Sequence, residues 1–327
     1  MRTFGRFLGR LLLLLILAGV ALWVFGPYER ISVVPTFDPA TIGEDIDAYL
    51  VETEAAFEDI TPGTEKRVIW ASEAGVKTPL AIVYVHGFSA TSEEIRPVPD
   101  RLADEFGANL HYTRLSGHGR SGEAFATASV QAWMNDVAEA LEIGRRIGEE
   151  VIVLSTSTGA TLMAEAALQQ GMIEGVKGVA MISPNFRIND PTAVVLTLPA
   201  ARYWVPAVAG ETRSWEGYNE GHSTYWTTSY PTVALMQMAA LVQHSRGLDF
   251  TAAKVPALFL FSDADDVVDH AASREVAGTW GGEMTLVDVV LPEGNDPNNH
   301  VIAGEVLSPG FTADAVSEIS NWIKSLK

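Results

Sequence analysis

Residues 151–160 read VIVLSTSTGA, a short apolar run that leads into a turn of small residues. The apolar spacing of Leu162, Met163 and Ala166 predicts a helix directly after the turn. A sharp strand-to-helix turn holds its central residue in a strained conformation, with the side chain exposed above the sheet. Ser157 occupies this turn, where the first N–H groups of the helix can receive a developing negative charge. The stretch therefore predicts a reactive serine at the end of a buried strand.

Six more strand-like runs lie on either side of this one, and amphipathic helical stripes, such as those at 130–141 and 316–326, separate several of them. Most of the runs are short and continuously apolar, as expected of strands that helices cover on both faces. The alternation predicts an α/β fold with a mostly parallel, doubly wound sheet. The seven predicted strands are Arg67–Ala71, Leu80–Val85, Leu110–Arg114, Val151–Leu154, Gly178–Ile182, Ala257–Phe261 and Leu286–Leu291.

One interval between predicted strands is too long for a single crossover helix. It runs from about 185 to 254, is rich in tryptophan and tyrosine, and contains an apolar helical run at 233–242. An insertion of this size between strands is the natural place for a helical lid over a site. An ordinary helical excursion is the alternative interpretation.

The turn at Ser157 resembles the nucleophile elbow of the α/β-hydrolase superfamily, G-x-S-x-G, with Ser155 in place of the first glycine. By itself this altered motif would also fit a plain strand–helix turn. A second motif decides between the two, because the run at 80–85 leads into HGFSA at 86–90, which resembles the His-Gly loop after the family's third strand. A third, LSGHGRS at 115–121, is similar to the family's L-P-G-H-G loop after the fourth strand.

The resemblance implies an oxyanion hole made of two backbone N–H groups, those of Phe88 and Thr158. It also implies that the histidines of the two loops, His86 and His118, organise the loops and do not act as bases.

The same resemblance extends to the loop after the strand at 257–261, which reads SDADDVVD at 262–269. It is similar to the family's G-x-x-D-x-V-V, with Ser262 at the glycine, and this register selects Asp265 as the acid of a catalytic triad. Asp269 precedes a predicted helix and is interpreted as its N-cap.

A polar loop after the last predicted strand leads to His300, and this is where the family places its general base. Of seven histidines, only His300 follows that strand. The catalytic residues implied by the resemblance are therefore Ser157, Asp265 and His300, in the family's chain order.

The motifs look most like the monoacylglycerol lipase and carboxylesterase branch, the serine aminopeptidase-like group. This implies hydrolysis of carboxylic esters through an acyl-enzyme on Ser157, with no cofactor and no metal. The aromatic residues of the lid favour apolar acyl chains, as in a carboxylesterase, a monoacylglycerol lipase or a lysophospholipase-like enzyme. One alternative is a peptidase of the same group, in which Glu216 or Glu220 in the lid would bind a substrate ammonium. Another is a catalytically inactive binding protein on the same fold.

The N-terminus predicts a membrane anchor. Residues 11–25 are apolar apart from Gly19, and with the flanking turn the segment approaches the roughly 20 residues that a bilayer requires. Three arginines precede it, so the N-terminus is predicted to be cytoplasmic and the rest outside, periplasmic if the source is bacterial. A cleaved signal peptide, with secretion of the remainder, is the alternative, because Gly19-Val20-Ala21 fits a cleavage site. The apolar run continues past that site to Phe25, which favours the anchor.

The predicted organisation is thus an anchor or signal peptide at 1–26, a tether with a short helix at 27–62, and the hydrolase domain at 63–327. The chain has 22 basic against 41 acidic residues, a net charge of −19, which repels nucleic acid and argues against it as a partner. Because cysteine is absent, a disulfide, a thiolate nucleophile and a zinc–thiolate site are all excluded.

Overall fold

The computed structural model describes residues 2–327; Met1, where the predicted anchor begins, lies outside them. Within this part of the chain, seven strands form one sheet and two form a small ribbon. The strands are β1 Arg67–Ile69, β2 Thr78–Val85, β3 Asn109–Tyr112, β4 Gly148–Thr156, β5 Val176–Ile182, β6 Thr212–Ser214, β7 Ser229–Pro231, β8 Ala257–Phe261 and β9 Met284–Asp288.

The large sheet has the strand order β1-β3-β2-β4-β5-β8-β9. All neighbouring strands are parallel except β1 and β3, which are antiparallel at one edge. The predicted mostly parallel α/β sheet is therefore confirmed, and each of its seven strands overlaps a predicted run. Because the carboxyl ends of β2, β4 and β8 meet at one edge, the loops that follow these strands lie close together.

Helices cover both faces of the sheet because successive side chains of each strand point to opposite sides. Val83 and Val153 belong to the core cluster on one face of the sheet, and Ile82 and Leu154 belong to the cluster on the opposite face. The helices are α1 Arg2–Phe25, α2 Ile46–Glu54, α3 Val98–Phe106, α4 Gly122–Ala126, α5 Val130–Ile147, α6 Thr158–Ala167, α7 Ala201–Ala209, α8 Glu220–Tyr225, α9 Ala234–Ser245, α10 His270–Thr279 and α11 Thr312–Ser325.

The long interval between β5 and β8 contains α7, the β6–β7 ribbon, α8 and α9. In the ribbon, Arg213 is opposite Tyr230. Helix α9 is the part of the interval that joins the main core, where Met238 and Leu241 pack with residues of α5 and α6. The remaining elements lie over the carboxyl ends of the strands and border a cavity there.

Helix α1 stands clear of the domain, and its 22-residue segment Phe4–Phe25 has a mean hydropathy of 2.4 with none of it buried. By length and composition it is able to span a membrane, as either an anchor or a signal sequence.

The segment that follows α1 lies against the domain. The Pro27 carbonyl accepts a hydrogen bond from the amide of Ala200 at 2.8 Å, and the Glu29 carboxylate binds the Arg202 guanidinium in α7. Farther along, Thr36 N–H donates to the Asn135 side chain in α5 at 2.7 Å. The segment between the predicted anchor and the domain is thus held along the surface of the lid and of α5.

Candidate active site

Ser157 lies at the bend between β4 and α6, with φ 52° and ψ −117°. A residue with a side chain adopts this conformation only at a cost, so the turn depends on its surroundings. The Ser157 amide donates to the Ile182 carbonyl at 2.9 Å, which ties the bend to β5. A Cβ at Gly159 would lie 2.4 Å from the Val85 carbonyl oxygen, so the small residue after the bend lets α6 pack against the end of β2. The local geometry is that of a strained strand-to-helix turn.

Ser155, which replaces the first glycine of the motif, is fully buried. Its hydroxyl donates to the Ala180 carbonyl in β5 at 3.2 Å. A small side chain with an internal hydrogen-bond partner is therefore accommodated here without disturbing the turn.

His300 lies between Ser157 and Asp265 in the loop region after β9. Its Nε2 is 3.0 Å from Ser157 Oγ, and its Nδ1 is 2.8 Å from Asp265 Oδ2. All three residues are buried. The structure thus brings the three predicted catalytic residues together as a hydrogen-bonded chain of hydroxyl, imidazole and carboxylate, the arrangement that activates a serine nucleophile.

The carboxylate of Asp265 is held in place by its own loop. Its Oδ1 accepts hydrogen bonds from the amides of Val267 at 2.8 Å and Val268 at 2.9 Å, which leaves Oδ2 for His300. The other aspartates of the loop have different partners. Asp263 binds Arg274, and Asp269 caps α10 by accepting from the Ala271 amide, as predicted for an N-cap.

The backbone at His300 is held by Asp296, a residue to which no sequence motif pointed. Asp296 is buried, and its Oδ2 accepts from the amides of His300 at 3.1 Å and Val301 at 2.8 Å. Burial alone would lower the pKa of His300, but the carboxylates of Asp265, Asp296 and Glu94 outweigh it, and the pKa is raised. The imidazolium form is therefore stabilised in this site.

The two predicted oxyanion donors belong to different elements next to Ser157. Thr158 begins α6, and Phe88 follows Gly87 in the loop after β2. In the described part of the chain, neither of the two amides has a protein acceptor. A Cβ at Gly87 would lie 3.1 Å from Ser157 Cβ, so this loop passes directly beside the nucleophile. Two free N–H groups in this position are suited to stabilise an oxyanion.

The two loop histidines are fully buried away from the cavity. His86 Nε2 accepts from the Leu115 amide at 3.0 Å, which joins the loop after β2 to the loop after β3. The His118 ring packs against the His86 ring, with centroids 4.9 Å apart. Burial lowers the pKa of His86 to about 4 and that of His118 well below its usual value, so both rings are neutral at pH 7.

A cavity of about 900 Å³ lies between the nucleophile and the lid. Ser157 and His300 border it on the sheet side, and Leu196, Val205 and Met238 border it on the lid side. Glu216, one of the two lid carboxylates singled out from the sequence, also lines it, whereas Glu220 begins α8 at the exposed surface. The cavity is large enough for a small-molecule substrate with an apolar part.

Comparison with known proteins gives a family model described as serine aminopeptidase, S33, which matches residues 77–288, about two-thirds of the chain. No curated protein matches the chain. Among solved structures, a metagenome-derived lipolytic enzyme of the LipS and LipT pair is similar, with a TM-score of 0.66 and 20% identity over 81% of this chain and 99% of that one.

Two monoacylglycerol lipases are similar as well. The enzyme from Paleococcus ferrophilus has a TM-score of 0.59 and 15% identity over 80% of this chain and 98% of its own. A soluble variant of the Saccharomyces cerevisiae enzyme, solved with a substrate analog, has a TM-score of 0.58 and 12% identity over 80% of this chain and 92% of its own. At these identities the similarity shows a shared fold.

Proposed function

The chain belongs to the serine aminopeptidase family of α/β hydrolases and is therefore a hydrolase; from this we propose that it cleaves carboxylic esters through an acyl-enzyme on Ser157. The observation that supports the proposal most strongly is the hydrogen-bonded chain from Ser157 through His300 to Asp265 at the base of the cavity. A binding protein would have no need of a buried hydroxyl, imidazole and carboxylate in this order.

In the proposed reaction, His300 Nε2 takes the proton of Ser157 Oγ while Oγ bonds to the ester carbonyl carbon. The resulting oxyanion accepts hydrogen bonds from the amides of Phe88 and Thr158. His300 then gives its proton to the departing alkoxide, and the acyl group stays on Ser157. Water adds to the acyl-enzyme by the same proton transfers and releases the acid. Asp265 holds the imidazole in the required tautomer throughout.

The proposed substrates are esters with an apolar acyl group. Apolar side chains of the lid border the cavity on the side facing the nucleophile, where an acyl chain would be shielded from water. The similar lipolytic folds agree with a carboxylesterase, a monoacylglycerol lipase or a lysophospholipase-like enzyme. The apolar helix α1 supports a location in or near a membrane, with the domain outside the cytoplasm.

A peptidase is the second candidate, because Glu216 lines the cavity. A carboxylate in the lid would bind the ammonium group of a peptide N-terminus while Ser157 attacked the first peptide bond. Arg213 lines the same cavity, and its positive charge opposes this use of Glu216. The ester is therefore the preferred substrate.

A substrate panel tests the proposal on the full-length chain in detergent. We expect p-nitrophenyl esters to be hydrolysed, with turnover depending on acyl-chain length, and aminoacyl p-nitroanilides to be poor substrates. A fluorophosphonate should label the protein at Ser157. Preferential cleavage of the anilides would favour the peptidase, and absence of both labelling and turnover would favour the inactive binding protein.

A further inference from the structure

Glu94 is a buried carboxyl group that the proposed mechanism leaves unused. It ends the short helix Ser92–Glu94, is 2% exposed and borders the cavity that contains Ser157 and His300. Burial of a carboxyl group is costly unless hydrogen bonds compensate for the lost water. The partners of Glu94 therefore indicate why it is there.

One oxygen of Glu94 joins two elements of the site. Its Oε2 accepts a hydrogen bond from the Gly87 amide at 2.7 Å and another from the Tyr84 hydroxyl at 2.8 Å. The Tyr84 oxygen is also 3.1 Å from Thr156 Oγ1. Gly87 directly precedes the oxyanion donor Phe88, and Thr156 directly precedes Ser157. The Glu94 carboxyl group thus connects Gly87, next to the proposed donor Phe88, with Thr156, next to Ser157. The connection to Thr156 runs through the Tyr84 hydroxyl.

The other oxygen of Glu94 lies against the same loop. A Cβ at Gly87 would lie 2.7 Å from Glu94 Oε1 and 3.1 Å from Ser157 Cβ. Carboxyl group, loop and nucleophile are therefore packed together with no space for a side chain between them. A change at Glu94 would move the loop, and a displacement of about 1 Å at a reacting group is enough to reduce catalysis strongly.

We propose that Glu94 is a positioning residue, which sets the Phe88 amide at the correct distance from Ser157 for binding the oxyanion. This rests on the proposed ester hydrolysis, since the Phe88 amide has that task only if Ser157 is the nucleophile. In this role Glu94 chiefly stabilises the tetrahedral state, in which the negative charge forms. It adds little to the binding affinity for the neutral ester.

Glu94 also acts on the base through its charge. The negative charges of Asp265, Asp296 and Glu94 each raise the pKa of the His300 imidazole, while burial raises the pKa of Glu94 itself. In Glu94→Gln the amide oxygen can still accept from Gly87 and Tyr84, while the charge is gone. This variant separates the positioning role from the electrostatic one.

The test compares Glu94→Ala and Glu94→Gln with a matched control, Glu93→Gln. Glu93 is the preceding residue, and its carboxylate binds Arg96 at 2.8 Å away from the nucleophile. For each variant of the full-length chain, kcat and KM are measured with p-nitrophenyl butyrate. The inhibition constant of a trifluoromethyl ketone is measured in parallel. Addition of Ser157 Oγ to this ketone, with transfer of the proton to His300, gives a tetrahedral oxyanion that mimics the reaction intermediate.

We expect Glu94→Ala to lower kcat by about 10² to 10³, the effect of losing one oxyanion-hole donor, with KM nearly unchanged. The inhibition constant of the ketone should rise by a similar factor, because ketone and transition state use the same donors. Glu94→Gln should keep kcat within about tenfold of the parent, with the acidic limb of its pH profile moved to lower pH. Glu93→Gln should behave like the parent.

An unchanged kcat and ketone affinity in Glu94→Ala would overturn the proposal. If this variant does not fold, Tyr84→Phe provides the same test, since it removes one of the two links and leaves the ring. In Tyr84→Phe kcat and ketone affinity should fall together, and no change in either would also overturn the positioning role. Fluorophosphonate labelling of the parent keeps the two proposals apart. If the parent is not labelled, the catalytic role of Ser157 is refuted. If the parent is labelled normally and Glu94→Ala binds the ketone as tightly as the parent does, only the role of Glu94 is refuted.

Discussion

At the scale of single residues, the site depends on which of two neighbouring serines carries the reactive hydroxyl. Ser157 has a strained backbone and faces His300, whereas Ser155 is buried and bonded to the Ala180 carbonyl. Ser157→Ala should abolish fluorophosphonate labelling and lower ester turnover by about four to six decades, as for a deleted triad nucleophile. The control Ser155→Ala should keep most of the activity. If Ser155→Ala is the inactive variant, the proposed nucleophile is wrong.

The acid of the proposed triad can be identified in the same way. Asp265→Asn preserves the shape of the side chain but can force the imidazole into the wrong tautomer, which costs about 10⁴ in turnover in the serine-protease case. Asp263→Asn is the matched control in the same loop. It loses only an exposed ion pair with Arg274, so turnover should change less than about tenfold. Turnover at neutral pH, with melting temperatures as a folding control, decides between the two; an active Asp265→Asn would contradict the assignment.

The pH dependence of the reaction should report on the carboxylates around His300. Only the neutral imidazole can act as the base, so activity should rise with pH through the raised pKa of His300. In Asp296→Asn one of the three facing negative charges is lost, the imidazolium is less stabilised and that pKa falls. The acidic limb of kcat/KM should then move to lower pH. Asp263 is not one of the three carboxylates around His300, so Asp263→Asn should leave the acidic limb of kcat/KM unchanged. A shift of that limb to higher pH in Asp296→Asn would contradict the stabilising effect of Asp296 on the imidazolium.

At the scale of elements, the approach of α6 to β2 determines whether the nucleophile turn can form. In Gly159→Ala the new Cβ would meet backbone oxygens of Val85 and His86 at 2.4 and 2.5 Å, and neither can move independently of β2. We expect a loss of about 1–3 kcal/mol in the free energy of unfolding, together with reduced turnover. The matched control is Gly278→Ala in α10, where the space is open and alanine favours the helix. Thermal unfolding and ester turnover are measured for Gly159→Ala and Gly278→Ala. If Gly159→Ala is unaffected, the turn tolerates a wider separation between α6 and β2.

The elements also show what a sequence can reveal and what it cannot. The strands of the large sheet could be predicted because each is a short apolar run buried by helices. The ribbon of β6 and β7 could not be predicted, because each strand has only three residues, too few to show an alternating pattern. Ser157, Asp265 and His300 could be predicted because their positions after strands follow a family pattern. Glu94 ends a three-residue helix and Asp296 lies in a polar loop, and only the folded chain shows that both are buried and border the same cavity as Ser157.

At the scale of the whole molecule, α1 is long and apolar enough to be either a membrane anchor or a signal sequence. We expect a phosphatase reporter fused to the C-terminus to be active in a bacterial host, because the N-terminal arginines keep their end in the cytoplasm. The protein should stay in the membrane fraction after a carbonate wash. Release of a shortened soluble form would identify the segment as a cleaved signal peptide, and an inactive reporter would contradict the outward orientation.

The hydrogen bond between Ser157 and His300 joins residues 143 positions apart, and the one between Asp265 and His300 spans 35. A ribosome makes Ser157 before it makes Asp265, and it makes His300 only after it has completed the last strand of the sheet. During synthesis the growing polypeptide therefore contains Ser157 before its hydrogen-bond partner His300 exists. The hydrogen-bonded group of Ser157, Asp265 and His300 can therefore form only after the whole sheet has been synthesised.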